Sequence, residues 1–162
     1  MIETTINQAI ESGAEVQPAS SDDIKLLMSK LGISQLPNSY YNFLRLTGRG
    51  MRCGFLQGHS CFLNELPMLR RWAEELLEEV DSTMQIPPNN LVFWMSQGYM
   101  FATIPIGEDD DPPVYYFTET HPCNHLTKIA NSFSAFISSL ERGDKDVFSP
   151  IGDYGSTATR TT

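Results

Sequence analysis

The chain has 162 residues, of which 41% are hydrophobic and 19% are charged, a composition typical of a globular protein and not of a disordered one. Its formal net charge is -9 and its pI is about 4.6. A surface of this sign repels nucleic-acid phosphates and anionic lipid headgroups. We therefore expect no direct binding to nucleic acid or to membranes, and a protein partner with a basic surface.

The N-terminal residues and the cysteine spacing indicate the cellular compartment. Residues 1–5 have neither the basic region nor the apolar run of a signal peptide, and no apolar stretch approaches the roughly 18 residues that span a bilayer. The three cysteines, Cys53, Cys61 and Cys123, are odd in number and do not have the spacing of a disulfide framework. We expect a cytoplasmic protein in a reducing environment.

Helices are predicted first along the chain. One covers about residues 2–11, and a second begins at Ser21, the predicted N-cap, with two acids behind it that suit the positive end of a helix dipole. Gly32 is predicted to end the second helix. Pro37 restarts the chain, and a short third helix, capped by Asn38 or Ser39, ends at Gly48.

The middle of the chain predicts two short strands and the clearest helix. The strands are Met51–Leu56 and Ser60–Leu63. The helix that follows is predicted to bury five residues at helical spacing: Leu69, Trp72, Ala73, Leu76 and Val80. Trp72 and Trp94 could line a ligand pocket, but their periodicity favours the core.

From Leu91 the hydrophobic period becomes two, which predicts a hairpin of strands 91–96 and 99–104 joined by Gln97-Gly98. Both faces of the first strand are apolar, so we expect a central strand covered on each side. A third strand, 114–119, and a final helix beginning near Leu126 and ending at Gly143 complete the pattern.

This order of elements predicts the α+β class, with an antiparallel sheet of about four to six strands and helices packed around it. The sequence shows no internal repeat and no boundary between two domains. We expect one domain over residues 1–148 and a mobile polar tail over residues 149–162.

The sequence lacks the usual catalytic signatures. It has no phosphate-binding G-x-x-x-x-G-K-[ST] loop, no G-x-G-x-x-G turn and no G-x-S-x-G elbow. We expect no enzymatic activity and no cofactor. One alternative is a zinc site from His59, Cys61, His121, Cys123 and His125, but Pro122 interrupts the second group and no C-x₂₋₄-C pair is present. Structural roles for these five residues are favoured, and no metal is expected.

Two acidic groups are candidate contacts with a basic partner. The first is the loop Glu108, Asp109, Asp110 and Asp111, and the second is the helix face of Glu74, Glu75 and Glu78. Four consecutive carboxylates do not match an EF-hand, so the alternatives are a solvated loop or a surface that steers a basic protein. The helix acids alone are also typical of the wet face of an amphipathic helix.

Four stretches in order resemble the SUKH superfamily, which is named after the Smi/Knr cell-wall regulators. They are residues 36–46 (LPNSYYNFLRL), 93–101 (FWMSQGYMF), 111–117 (DPPVYYF) and 132–137 (SFSAFI). The resemblance covers about residues 21–140 and implies antiparallel strands with helices packed around them. It offers no shared catalytic residues, and its partner contacts vary among members.

The bacterial members of this superfamily are typically immunity proteins, many of which neutralise nucleases or nucleic-acid deaminases. The resemblance therefore implies a protein that binds a cognate toxin and occludes its active site. The alternatives are a regulatory scaffold domain like the fungal members and, third, a zinc-binding or small-ligand protein.

Overall fold

The structure is a computed structural model that describes residues 1–120 and 124–151. In these ranges the chain forms five helices and six strands. The helices are α1 (Ile2–Glu11), α2 (Ser21–Leu31), α3 (Asn38–Thr47), α4 (Leu66–Glu79) and α5 (Phe133–Arg142). The strands are β1 (Glu15–Gln17), β2 (Gly50–Arg52), β3 (Asn90–Ser96), β4 (Met100–Pro105), β5 (Val114–Thr118) and β6 (Thr127–Ala130). The predicted α+β class is confirmed.

The strands divide between two antiparallel sheets. The larger has the order β3-β4-β5-β6, and β1 pairs with β2 in the smaller. The predicted hairpin of β3 and β4 is confirmed, and its turn is closed by a hydrogen bond from the Tyr99 amide to the Ser96 carbonyl (3.3 Å). Gln97 and Gly98 both have positive φ, at 53° and 77°, as a type I′ turn requires.

The prediction that β3 is a central strand is wrong, because β3 is the edge of the larger sheet. It is nevertheless buried from Leu91 to Ser96. Helix α4 packs against it, and Ser60 pairs with Met95 through two backbone hydrogen bonds of 2.9 Å. The apolar side chains of β3 are therefore covered by helices α4 and α5, and Ser60 occupies part of the edge that pairs with no strand.

The core is centred on Phe133 at the start of α5. Its ring makes edge contacts with Tyr40 (5.3 Å), Phe43 (5.4 Å) and Phe93 (5.3 Å) between centroids, and all four residues are buried. Such edge-to-face contacts add to the hydrophobic gain from burial. Residues from α3, β3 and α5 thus meet at one ring.

Phe93 is the extra residue of a β-bulge in β3. The register passes from Val92 opposite Thr103 to Trp94 opposite Ala102, which leaves Phe93 without a partner. In a regular strand, Phe93 and Trp94 would point to opposite faces, but here both contact Phe136, at 5.7 and 6.2 Å.

The final helix is shorter than predicted. Thr127–Ala130 is a strand that pairs with β5, and α5 begins only at Phe133 after Ser132, whose side chain accepts a hydrogen bond from the Ala135 amide (3.1 Å). The apolar residues Leu126 and Ile129 fit either period. Pairing with β5 satisfies backbone groups that the edge of the sheet would otherwise expose.

The segment predicted as the two strands Met51–Leu56 and Ser60–Leu63 contains only β2 and the single bridge at Ser60. The chain turns between them, with Cys53 at φ 59° and its amide bonded to the Gln57 side chain (2.7 Å). Strand β1 was not predicted, because three residues are too few for a periodic signal.

The described start of the tail contacts the larger sheet, because the Ile151 amide donates a hydrogen bond to the Lys128 carbonyl (3.0 Å). Just before the tail, the ring of Phe148 stacks on Trp94 at 5.3 Å. The rest of the predicted mobile tail, residues 152–162, lies outside the described residues.

The N-cap of α2 is Ser20, one residue before the predicted Ser21. Its hydroxyl accepts from the Asp23 amide, and the Asp23 carboxylate accepts from the Ser20 amide, both at 3.0 Å.

We expect Ser20→Ala to lower the free energy of unfolding by about 1 kcal/mol, because this capping box is lost. Urea unfolding would measure the change. The matched variant Ser21→Ala should change it by less than about 0.5 kcal/mol, and the reverse order would contradict the assigned cap.

Candidate functional site

The acidic loop, residues 108–111, lies between β4 and β5 and against the N-terminal ends of α3 and α5. The Asp110 carbonyl accepts a hydrogen bond from the Ser39 amide (2.9 Å). The Asp111 carboxylate accepts from the Ser134 amide (2.9 Å). Both amides are in the first turn of a helix, where no carbonyl of the same helix is available. The loop therefore supplies the missing acceptors.

Two further hydrogen bonds fix the conformation of the acidic loop. The Asp109 carboxylate accepts from the Asp111 amide (2.9 Å), and the side chain of Gln35 donates to the Gly107 carbonyl (3.3 Å). Glu108, Asp109 and Asp110 are exposed, whereas Asp111 is partly buried. Within the described ranges, the side chains of Glu108 and Asp110 make no hydrogen bond or ion pair. The four predicted contact residues thus separate into two free carboxylates and two that stabilise the loop.

The acids of α4 are partly neutralised by arginines one turn earlier. Arg70 pairs with Glu74 (3.3 Å) and Arg71 with Glu75 (3.4 Å), both exposed i,i+4 pairs. Such pairs contribute only about 0.3–0.5 kcal/mol. Glu78 is exposed and has no ion pair among the residues that the structure describes. The predicted acidic face is therefore less negative than its three glutamates suggest.

Arg70 also attaches α4 to the segment that leads into β3. Its guanidinium donates to the carbonyls of Ile86 (2.8 Å) and Asn90 (3.0 Å). Its planar fork of donors suits several carbonyls at once. This contact fixes the helix relative to the edge of the larger sheet.

The two acidic groups are not joined into one surface by direct contact. The acidic loop bonds to the ends of α3 and α5, whereas α4 packs on β3 and α2. In the part of the chain that the structure describes, no hydrogen bond or ion pair links Glu108–Asp111 to the glutamates of α4.

Sequence reasoning missed an exposed apolar pair on α4. Trp72 was predicted to be buried, but it is 37% exposed, and Met68 one turn earlier is 39% exposed. Trp94, by contrast, is buried as predicted, at 1%. The buried face of α4 is complete without Trp72, because it is filled by Leu66, Leu69, Ala73, Leu76 and Leu77. Trp72 therefore lies at the margin of this buried face.

The histidines and cysteines of the described residues do not form a reactive cluster. Cys61 is buried, and this burial raises the pKa of its thiol far above the usual range, with Glu65 adding to the shift. A thiol with so high a pKa is a poor nucleophile at neutral pH. The Nδ1 atom of His59 lies 3.1 Å from the Ser96 hydroxyl, and its ring lies 5.0 Å from Trp94.

The zinc alternative is only partly represented in the structure. His121 and Cys123 lie outside the described residues, and His125 is exposed. Among residues 1–120 and 124–151, no group of three or more His, Cys, Asp or Glu side chains is placed to hold a metal ion. In the same ranges, no helix is long and apolar enough to cross a membrane.

These features define an α+β domain in which Cys61 is buried and His59 is partly buried, and whose free carboxylates lie on an ordered surface loop. The profile of the SMI1 / KNR4 family (SUKH-1) matches residues 18–139. This span runs from the start of α2 into α5 and is most of the chain, so the protein belongs to this family. The resemblance found in the sequence is confirmed. No curated protein matches the chain.

The carboxylate of Asp111 is expected to stabilise the fold. Replacing it with Ala leaves the Ser134 amide at the start of α5 without an acceptor. We expect Asp111→Ala to lower the free energy of unfolding by about 1 kcal/mol, measured by urea denaturation. The control Glu108→Ala removes a neighbouring charge with no such contact and should leave stability within about 0.5 kcal/mol. Equal effects of the two variants would contradict the stabilising role of the hydrogen bond between Asp111 and Ser134.

His59 is expected to make stability depend on pH, because partial burial lowers the pKa of its imidazole. The unfolded chain then takes up this proton at a higher pH than the folded protein does. The contribution of neutral His59 to the free energy of unfolding is therefore complete near pH 7.5. It decreases as the pH falls below about 6.5. Urea unfolding at intervals between about pH 7.5 and 5.5 should show a smaller decrease for His59→Asn than for the wild type. His125→Asn, at an exposed site, is the control and should retain the decrease.

Proposed function

We propose that the protein is an immunity protein that binds a cognate toxin with a basic surface and occludes its active site. Membership of the SMI1 / KNR4 family supports a role in protein–protein interaction. The observation that carries the proposal is the acidic loop. It presents the carboxylates of Glu108 and Asp110 on a backbone that is already fixed by contacts with α3 and α5.

The physical basis is competition for a basic groove. A toxin that acts on nucleic acid lines its substrate site with Lys and Arg to bind phosphates. Carboxylates carried by an ordered backbone, on a protein of net charge -9, attract the same side chains and speed association with them. Since the loop is ordered before binding, association does not bear the cost of ordering it.

An interaction role also agrees with the chemistry of the described residues. The buried thiol of Cys61 is kept protonated by its raised pKa. His59 is partly buried between Ser96 and Trp94, where its ring makes a side-chain hydrogen bond. These arrangements support a domain whose function resides in its surface.

The test is to express the protein together with the product of the adjacent reading frame, which is the candidate toxin. The wild type is expected to purify as a one-to-one complex and to protect the cells. Removing the two free charges with Glu108→Gln and Asp110→Asn should slow association several-fold at low salt and flatten its salt dependence. Stopped-flow measurement of association against ionic strength would show both effects.

The control is Glu11→Gln with Asp22→Asn, which removes the same charge from exposed positions on α1 and α2. It should change association much less. An unchanged rate and salt response in the loop variant would exclude the loop as the contact. Failure of the wild type to bind or to protect would reject the immunity function, and binding to a different cellular protein would favour a regulatory scaffold.

A further inference from the structure

We infer that a groove beside α4 binds a Lys or Arg side chain of the partner. This inference rests on the proposed function only in naming the toxin as that partner. We call it the Trp72 groove. It lies between α4 and the β3–β4 turn, and has a volume of about 430 Å³. Its lining includes Trp72, Glu75 and Glu79 of α4 on one side and Gly58, Ser60 and Gly98 on the other.

One wall of the Trp72 groove belongs to an exposed stripe on α4. Met68, Trp72, Glu75 and Glu79 follow one another at intervals of four, three and four residues. At 3.6 residues per turn they lie within an arc of about 60°. This arc flanks the buried face of the helix, so the indole of Trp72 and the two carboxylates border the same space.

The opposite wall leaves room for a ligand. A Cβ atom added at Gly58 or Gly98 would meet no atom within 4 Å. Both glycines have positive φ, at 88° and 77°, a conformation that favours glycine and keeps side chains out of these positions. The backbone at Gly58, between β2 and α4, and at Gly98, in the β3–β4 turn, therefore borders the groove without filling it.

Both walls are fixed to the core. The paired backbone hydrogen bonds between Ser60 and Met95 (2.9 Å) attach the loop wall to β3, and the Ser60 hydroxyl donates to the Glu65 carboxylate (3.0 Å). The Arg70 contacts with the carbonyls of Ile86 and Asn90 attach the helix wall. The groove is therefore present before a partner binds.

The lining specifies the chemistry of the occupant. Two carboxylates beside the partly exposed indole of Trp72 attract a cation with an apolar stem, through cation–π and charge interactions. Among the described residues, none of those lining the groove is basic. Arg71 lies 3.4 Å from Glu75 and offsets part of its charge, whereas Glu79 has no ion pair in the described ranges. An anionic or purely apolar group would leave the carboxylates without a counter-charge.

The first test needs no toxin. The peptide acetyl-Gly-Ser-Arg-Ser-Gly-amide is titrated into the full chain, with the same peptide carrying citrulline, a neutral isostere of arginine, as the control ligand. The Trp72 indole proton should shift saturably with the arginine peptide, while that of the buried Trp94 serves as the reference. The citrulline peptide should bind at least about five-fold more weakly.

The matched variants distinguish binding in the Trp72 groove from attraction to the overall negative charge of the protein. Glu75→Gln with Glu79→Gln should weaken the arginine peptide about five-fold or more. Glu74→Gln with Glu78→Gln removes the same charge from α4 outside the groove and should weaken it less than about two-fold. Equal binding of the citrulline peptide, equal effects of the two variants, or no saturable shift of Trp72 would overturn the inference.

The toxin complex then separates this inference from the proposed function. Trp72→Ala is expected to weaken the complex about tenfold or more, with an unchanged urea midpoint showing that the fold is intact. If the wild type protects cells and Trp72→Ala binds equally well, the groove does not serve this partner and the immunity function stands. If no toxin binds but the arginine peptide does, the immunity function fails and the cation site stands.

Discussion

The first turn of α5 joins the hydrophobic core to the acidic surface. Phe133 packs against Tyr40, Phe43 and Phe93, whereas the amide of the next residue, Ser134, donates to the Asp111 carboxylate. The aromatic contacts place the helix, and the placed helix presents the amide that orders the loop. Because the two groups are adjacent in the chain, a shift of α5 would disturb the core and the loop together. The backbone of the acidic loop is therefore positioned by the same helix that fills the core.

The β-bulge at Phe93 has a comparable effect at the edge of the larger sheet. It directs Phe93 and Trp94 toward the same helix and so concentrates aromatic side chains on one side of β3. The edge of β3 that pairs with no strand is covered by α4 and Ser60. Covering an edge in this way protects it from pairing with other chains. The same arrangement creates the space between α4 and the β3–β4 turn.

The sequence predicted the parts of the fold in which local pattern and tertiary contacts agree. Helices α1 to α4, the hairpin and the third strand followed from periodicity, capping and turn residues. The prediction was wrong where two periods fit the same residues, as at Leu126 and Ile129, and where cover comes from distant segments, as at β3. The acidic loop was recognised, but the distinct role of Asp111 was not, since its acceptor function depends on an amide 23 residues later. Trp72 was misplaced because periodicity cannot tell the middle of a buried face from its margin.

The hydrogen bonds of the acidic loop determine which of its positions can accept substitutions during evolution. The loop is shaped by its backbone and by Asp109 and Asp111, whereas the side chains of Glu108 and Asp110 make no contact on which the described fold depends. Substitutions at these two positions are therefore nearly neutral for stability, yet they alter the charge and shape presented to a partner. A domain built this way can acquire new binding specificity through single substitutions while its scaffold stays unaltered.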